Sequence, residues 1–538
     1  KDYESVAIGF MHAYANDAHE RLALDVLSGL LPETSFSLSS EVSPQMREYE
    51  RFNTVCANAY VKPIMQSYLN RLVEKLTKIG VDAQVYLMHS GGGILALETA
   101  ADHPVRLVES GPAGGAIFAA DIAARHGIRR ALSFDMGGTT AKICMIKDRT
   151  PRTARVFEVA RSYRFKKGSG MPISIPTIDM VEIGAGGGSL ARVDAMRQIR
   201  VGPESAGSEP GPACYGRGGT EPAITDADLL LGRLDPDSFA GGTITLSAEA
   251  STTAVDAAVG SKIGMDSMTA AFAITEVVDE TMANAARAHA VENGEDLGGY
   301  TMIAFGGAAP LHACRLAEKL GISRILVPPG AGVGSAIGFL RAPFSFEATR
   351  STYMTISDFS VALVESLMTE LRDEAAGFVR ACIADAPLHF ESKAFFRYVG
   401  QGWEIPVDLP GGAPDRDRYM AAFEDAYRVL FGRVVDGVDV EITSWSVKAS
   451  TAPKLGEAAS DVPDAGVAPT SSARLLFDRT SEQLAEAPVA DRDALLPGSH
   501  LPGPAVIAER ETTTIIARGY IARTLSDGCI SLVKEETA

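Results

Sequence analysis

The stretch Ala131-Leu132-Ser133-Phe134-Asp135-Met136-Gly137-Gly138-Thr139-Thr140-Ala141-Lys142-Ile143-Cys144-Met145-Ile146 gathers a carboxylate, two glycines and two hydroxyls into six consecutive positions, Asp135 to Thr140. Adjacent glycines let successive backbone N–H groups converge on an anion, a carboxylate can hold Mg²⁺ through water, and hydroxyls add further donors. The same residues also fit an ordinary tight hairpin whose Asp and Thr satisfy the turn. A second glycine pair, Gly306-Gly307, follows the strand-like run Thr301-Met302-Ile303-Ala304-Phe305. It allows a planar ring to lie against backbone where any Cβ would intrude, or it is a plain crossover turn. Between the two lie Gly186, Gly187 and Gly188, able to cradle a phosphate or a substrate carbonyl. Asp179, Glu182, Asp226 and Asp228 are metal ligands or a general base, or else caps and turn residues. Cys214 sits in a Gly/Pro-rich loop with no assignable base and reads as a bystander thiol, while His89 and His312 read as structural or surface histidines.

These residues need elements to hold them. Two alternating apolar strands flank the Gly137-Gly138 turn, so Asp135 ends the first and the threonines begin the second. Strand alternation from Thr140 carries Lys142 to the same face; the alternatives are a solvent-facing Lys142 or one paired with an acidic residue on a neighbouring strand. After the second glycine pair, Pro310 is placed to open a helix to Leu320, Gly321 to end it and Ile322 to Val327 to return as a parallel strand. Val61 to Ile79 has helical apolar spacing, as do about Phe359 to Ala384 and about Arg416 to Leu430. Phe395 to Val399 and Trp403 to Val407 form a hairpin turning at Gly400-Gln401-Gly402. The expected divisions are an α/β region at 1–128, a glycine-rich core at 129–347, an α+β module at 348–450, a linker at 451–473 and a small β module at 474–538.

Length and composition limit the choices. A chain of 538 residues predicts about three or four domains. With 46% hydrophobic and 22% charged residues it has the composition of a folded protein, not of a disordered or collagenous one. Lys and Arg number 50 against 68 Asp and Glu, and the net charge of −18 repels phosphate backbones and anionic lipid, so nucleic acid is not an expected partner. The six cysteines are scattered singly without metal-ligand spacing and read as reduced, cytoplasmic thiols. No apolar run of about 18 residues predicts a membrane span, and no signal peptide is read. The chain opens on Lys1 inside a strand-like stretch, which suggests further chain upstream.

The order strand, Asp-x-Gly-Gly-Thr, strand, then strand, Gly-Gly-x-x-Pro, helix is similar to the phosphate and adenosine motifs of the actin-like ATPase superfamily. Further segments carry a narrower likeness. They are Arg47 to Arg51, Ser110 to Gly115, Ile178 to Ser189, Val201 to Gly207, Pro210 to Gly216, Thr225 to Asp228, Leu231 to Leu234, Arg397 to Gln401 and Leu501 to Ile507. Together the series resembles the hydantoinase A/5-oxoprolinase family, which includes ATP-dependent carboxylase subunits acting on acetone and acetophenone.

The resemblance implies an α/β fold of RNase H-like, actin-like ATPase lobes with added α+β and small C-terminal β modules. It also implies ATP and Mg²⁺ (or Mn²⁺), a small-molecule carbonyl substrate and a hydantoinase B-type partner subunit. On that basis Gly137, Gly138, Thr139 and Thr140 bind phosphate, Gly186 to Gly188 assist, and Gly306 and Gly307 face adenosine. Asp135 holds the metal with Asp226, and Asp135, Lys142, Asp179 and Glu182 form the catalytic set. ATP-dependent hydrolysis of a cyclic amide is the first expectation, ketone carboxylation the second and a nucleotide-binding structural subunit the third. Two departures stand out. Family members usually begin with a further domain of about 150 to 200 residues carrying the first phosphate loop, of which this chain has no copy. The common form also continues Thr-Asp after the two hydroxyl residues, where this chain has Ala141-Lys142.

Overall fold

The computed structural model describes residues 3–162 and 168–535. They fall into two units that interleave along the chain instead of following the contiguous divisions expected above. The first comprises Lys1–Ala113, Thr153–Ile178 and Ala342–Lys454, the second Gly114–Arg152, Asp179–Arg341 and Leu455–Ala538.

The second unit carries the glycine motifs. In chain order its principal elements are α1 (Ser110–Arg125, beginning just before the unit), β1 (Arg130–Met136), β2 (Ala141–Lys147), β3 (Met180–Ile183), α2 (Ile224–Leu230), α3 (Ser267–Glu292), β4 (Thr301–Phe305), α4 (Ala309–Leu320), β5 (Arg324–Val327), α5 (Gly334–Arg341), β6 (Gly466–Val467), β7 (Ser499–Pro502), β8 (Tyr520–Thr524) and β9 (Ile530–Lys534). The strands form one sheet in the order β3-β2-β1-β4-β5-β9-β8-β7-β6. β1 runs antiparallel to β2 and β2 to β3, whereas β1, β4 and β5 are mutually parallel. Met302 to Phe305 of β4 are fully buried, which is why that strand reads as a continuous apolar run. Helix α4 forms where expected: Pro310 lies in its first turn, where its missing N–H leaves no bond unmade, and Gly321 ends it at φ +71.

The C-terminal region, expected as a small β module, is built of strands that divide between two sheets. Ser472–Asp478, Gln483–Asp491, Ala505–Ala508 and Thr513–Ile516 make a four-stranded sheet of their own. Strands β7, β8 and β9 instead extend the central sheet, with Arg324 to Val327 of β5 paired to Val533 to Ile530 of β9. Without β9 the apolar strand β5 would present a bare edge.

In the first unit, Val440–Ser450 is flanked by Ser345–Arg350 and His389–Tyr398, and the latter pairs with Ile405–Asp408 to give the expected hairpin. Helices Val361–Cys382 and Arg416–Phe431 share a core with this sheet around Trp445, Phe396 and Phe423. Each starts at a side-chain cap, Ser360 Oγ accepting from Leu363 N–H and Asp415 from Arg418 N–H. The helix expected over 61–79 in fact spans Glu48–Lys78. Its first half buries polar residues, Arg51, Thr54 and Asn58, so apolar periodicity does not reveal it. Arg51 donates to Phe10 O at 2.7 Å and Asn58 to Ser37 Oγ at 3.0 Å, which keeps those burials satisfied. Ser5–Ile8 and Ser35–Leu38 form a two-stranded parallel sheet.

Candidate functional site

Asp135, Lys142 and Glu182 stand side by side on three adjacent strands, Asp135 opposite Lys142 and Lys142 opposite Glu182. Directly opposed residues share a face, so carboxylate, ammonium and carboxylate form one row. Lys142 Nζ donates to Thr140 Oγ1 at 2.8 Å and lies 3.7 Å from Glu182 Oε1. Lys142 therefore shares the face of Thr140 and also pairs with an acidic residue on the neighbouring strand.

The carboxylate of Asp135 is held by residues from distant segments. Ser335 Oγ, on α5, donates to Asp135 Oδ2 at 3.0 Å. On α1, a Cβ at Gly115 would lie 3.1 Å from the same oxygen, and at Gly306 one would lie 2.7 Å from Oδ1 and 2.4 Å from Met136 O. Gly306 has φ +96, a backbone conformation that favours glycine. Burial raises the proton affinity of Asp135, while the Ser335 hydroxyl and the Lys142 charge oppose that rise. Among the described residues no hydrogen bond is made to Oδ1. A half-buried hard oxygen beside an open turn suits a Mg²⁺-type ion.

That turn presents backbone outward. Gly137 N–H donates to Thr140 O at 3.2 Å and closes it, while Gly138 and Thr139 are exposed. A Cβ at Gly137 or Gly138 would meet nothing within 4 Å. Beneath it lies the second glycine loop, and here the expectation is corrected. Gly186, Gly187 and Gly188 are buried, and their N–H groups are already committed, to Ser189 Oγ at 2.9 Å, Gly137 O at 3.0 Å and Gly138 O at 2.6 Å. They brace the first turn and have no N–H left for a phosphate. A Cβ at Gly186 would sit 2.5 Å from the Thr139 carbonyl carbon, so glycine is required there for backbone-to-backbone packing. Thr225, at the start of α2, ties this brace down by donating both its N–H and its Oγ1 to Gly187 O, each at 2.8 Å.

The Gly306-Gly307 turn meets the same place from β4. Ala308 N–H donates to Met136 O at 2.9 Å, joining the two turns, and Thr512 Oγ1 donates to Gly307 O at 3.0 Å. Gly306 is buried against Asp135 and Met136, so of the pair only the exposed Gly307 offers backbone to a ring system.

Other sequence candidates are placed elsewhere. Asp226 is fully buried and accepts from Ala213 N–H (3.1 Å), Cys214 N–H (2.7 Å), Ala223 N–H (2.8 Å) and Ser251 Oγ (2.7 Å). With four donors on two oxygens it has no lone pair for a metal, and that assignment is withdrawn. Asp179 lies 3.5 Å from Arg152 and is not among the residues placed against Asp135. Asp228 and His312 belong to a buried ion-pair cluster with Arg233 and Asp279. His89 Nε2 lies 3.1 Å from Ser345 O, and burial pushes its proton affinity down to about 3, a neutral structural histidine. His126, Asp527 and Cys529 have metal-ligand atoms within 4.8 Å, but Arg125 at 2.7 Å already supplies the positive charge to Asp527.

Burial pushes the Cys214 thiol far above its usual range, so no thiolate nucleophile is present. Cys214→Ala is accordingly expected to leave turnover within about twofold of wild type, measured as steady-state ATP hydrolysis; a tenfold loss (about 1.4 kcal/mol) would overturn the bystander reading.

His312 gives a pH-dependent stability. Burial alone would drive its proton off, but Asp228 and Asp279 more than reverse this and raise its pKa from 6.5 to about 9. A folded-state value above the unfolded one means that the contribution is fully present below pH 6.5 and lost as pH rises through about 9. Thermal melting across that range is expected to show a falling Tm in wild type and a flatter dependence in His312→Gln.

Ser335, Gly115 and Thr225 position the site, yet none was a sequence candidate for it. Ser335 stands 200 residues from Asp135, so only the fold brings them together. Residues 51–348 match the family model described as hydantoinase/oxoprolinase. The chain belongs to the hydantoinase/oxoprolinase family. This family member is 35% identical to an uncharacterized protein of Methanocaldococcus jannaschii, over 99% of the present chain and 77% of the other. It is 30% identical to the caprolactamase subunit alpha of Pseudomonas jessenii, over 96% of this chain and 74% of that one. The crystal structure of the ATP-dependent caprolactamase from that organism superposes with a TM-score of 0.83 at 28% identity, covering 97% and 76% of the two chains. The acetophenone carboxylase gamma subunit of Aromatoleum aromaticum is 26% identical over 95% of this chain and 71% of its own. The family thus spans cyclic amide hydrolysis and ketone carboxylation. Among the described residues, no helix of this family member is long and apolar enough to cross a membrane.

Proposed function

We propose that this chain binds Mg-ATP at the paired turns of the second unit and uses it to activate the carbonyl of a cyclic amide (hydantoin, 5-oxoproline or lactam) for hydrolysis, as the A-type subunit of an enzyme with a hydantoinase B-type partner. The carrying observation is the Ala308 N–H to Met136 O bond, which sets the Gly137 to Thr140 turn beside the Gly307 turn with Asp135 between them. The strand order β3-β2-β1-β4-β5, antiparallel then parallel, supports an RNase H-like, actin-like ATPase reading of this unit. Likeness to an ATP-dependent caprolactamase supports amide chemistry.

In this reading the N–H groups of Gly138 and Thr139 and the threonine hydroxyls orient phosphate, Asp135 holds Mg²⁺ (or Mn²⁺), and Gly307 faces the purine. Phosphoryl transfer from ATP to the amide oxygen would give an imidate open to attack by water. Breaking the C–N bond then frees the ring amine and leaves an acyl phosphate, which water hydrolyses to carboxylate and phosphate. Lys142 balances charge between Asp135 and Glu182 and supports the phosphates. The two-stranded parallel sheet Ser5–Ile8 and Ser35–Leu38 is narrow for its kind, since parallel strands ordinarily lie inside wider, covered sheets. That supports a place for the N-terminal phosphate-loop domain, or its equivalent, as further strands.

The test is ATP-dependent ring opening by the complete complex, followed as phosphate release and linear product. Turnover only with a ketone and bicarbonate would favour the carboxylase reading, and ATP binding without turnover on any carbonyl would favour a structural subunit. For Lys142, titrating Mg²⁺ against ATPase rate in Lys142→Ala and Lys142→Asp is expected to move the midpoint to higher Mg²⁺ in both, because a phosphate-neutralising cation is lost. Unchanged rates and midpoints would show that the residue has no part in the reaction.

A further inference from the structure

His312 is fully buried in the first turn of α4, five residues after Gly307. Its Nδ1 lies 2.8 Å from Asp279 Oδ1 on α3, and its Nε2 lies 3.3 Å from Asp228 Oδ2 on α2. Asp228 also accepts from Arg233 at 2.9 Å. Two carboxylates, one guanidinium and one imidazolium sum to zero charge; a neutral imidazole would leave a net negative charge in the interior, which is costly. Other charged groups facing α4 are already taken, Glu276 by Arg315 and Lys319, and Glu280 by Lys319. The Cys314 thiol on α4 is pushed up to about 12 by burial.

The cluster connects the two halves of the candidate site. On one side α4 continues directly from the Gly307 turn. On the other, Asp228 lies one helical turn after Thr225, which holds Gly187, whose N–H holds Gly137 O. A short run of ion pairs and hydrogen bonds thus leads from the purine-side turn through the interior to the underside of the phosphate turn.

We propose that His312, clamped between Asp228 and Asp279, is a positioning residue that sets the separation of the phosphate turn from the Gly307 turn, so that nucleotide affinity depends on this clamp. The inference rests on the nucleotide reading above and goes beyond it by naming an interior device away from the ligand. Asp228 moves with α2 and the brace, Asp279 fixes α3, and His312 moves with α4. Loss of the clamp lets the two turns drift apart although every residue touching the nucleotide is unchanged.

The test is calorimetric titration of Mg-ATP into the complete complex carrying wild type, His312→Gln, Asp279→Asn or the double variant His312→Gln/Asp279→Asn, with melting curves beside each. His312→Gln is expected to weaken ATP binding at least about tenfold at temperatures where it is folded, raising KM for ATP more than it lowers kcat. The double variant, which leaves only the balanced Asp228–Arg233 pair, removes the charge imbalance but not the loss of the clamp, so it is expected to recover melting temperature while ATP binding stays weak. Wild-type affinity in His312→Gln, with only Tm lowered, would reduce the cluster to a structural role. Asp135→Asn serves as the separate control: lost or weakened binding there with normal binding in His312→Gln rejects the clamp and keeps the site, whereas no ATP binding by wild type rejects both. If His312→Gln does not fold, wild type carries the test. Its ATP affinity is expected to fall between about pH 7 and 10 as His312 loses its proton, with the midpoint at lower pH in Asp279→Asn. An identical midpoint in the two proteins would overturn the proposal.

Discussion

Asp135→Asn is expected to lower ATP turnover by the complete complex more than about tenfold, a loss above about 1.4 kcal/mol of transition-state stabilisation, with little change in melting temperature. The two halves of that expectation have different physical origins. Asparagine keeps the shape of the carboxylate and an oxygen that can accept from Ser335, so the packing against Gly115 and Gly306 is preserved. Burial already disfavours the charge at this position, so removing it does not weaken the fold. The metal would lose its anionic ligand, while the Lys142–Glu182 ion pair would remain. Steady-state turnover and thermal melting of the same preparations decide the matter. Unchanged turnover removes Asp135 from the metal site.

A second large effect is expected at Gly306. A methyl group there would meet Met136 O at 2.4 Å and Asp135 Oδ1 at 2.7 Å on a backbone at φ +96. Overpacking costs roughly 1–3 kcal/mol and a strained left-handed residue about as much again, so Gly306→Ala should lose several kcal/mol of stability. It should also lose turnover at least as severely as Asp135→Asn, because relief of the clash moves the carboxylate. Gly138→Ala is the instructive comparison. Its added Cβ meets nothing within 4 Å, so stability should stay within about 0.5 kcal/mol while ATP binding weakens, the methyl group standing where phosphate would approach. If denaturant melts rank the two variants alike, the distinction between a packing glycine and a ligand-facing glycine is mistaken.

That distinction marks the limit of what the chain discloses by itself. The hairpin around Gly137 was legible because its alternation and turn residues are local, and alternation from Thr140 was enough to give the face of Lys142, whereas the row with Asp135 and Glu182 depends on the register between strands. The βαβ unit from Thr301 to Val327 was legible for the same reason, through Pro310 and Gly321. Gly186 to Gly188 look in sequence like a second cradle, because glycine is needed equally where a ligand approaches and where another backbone does; only the Thr139 contact tells them apart. Asp226 looks like a free carboxylate because its four donors come from Ala213, Cys214, Ala223 and Ser251. The buried polar residues Arg51, Thr54 and Asn58 hide the first half of the Glu48–Lys78 helix from an apolar-period reading, which finds only its second half.

The pairing of β9 with β5 has a consequence for how the protein is made. Strand β5 leaves the ribosome, then the whole last segment of the first unit follows, and only afterwards does Ile530–Lys534 arrive to cover its edge. Co-translational maturation of the second unit is therefore held open until nearly all of the described chain has emerged. During that interval an apolar parallel edge is exposed to other nascent chains. A stop codon placed after the Val440–Ser450 strand would release a polypeptide with every glycine motif present and no means of closing the sheet that carries them, a species destined for chaperones or inclusion bodies.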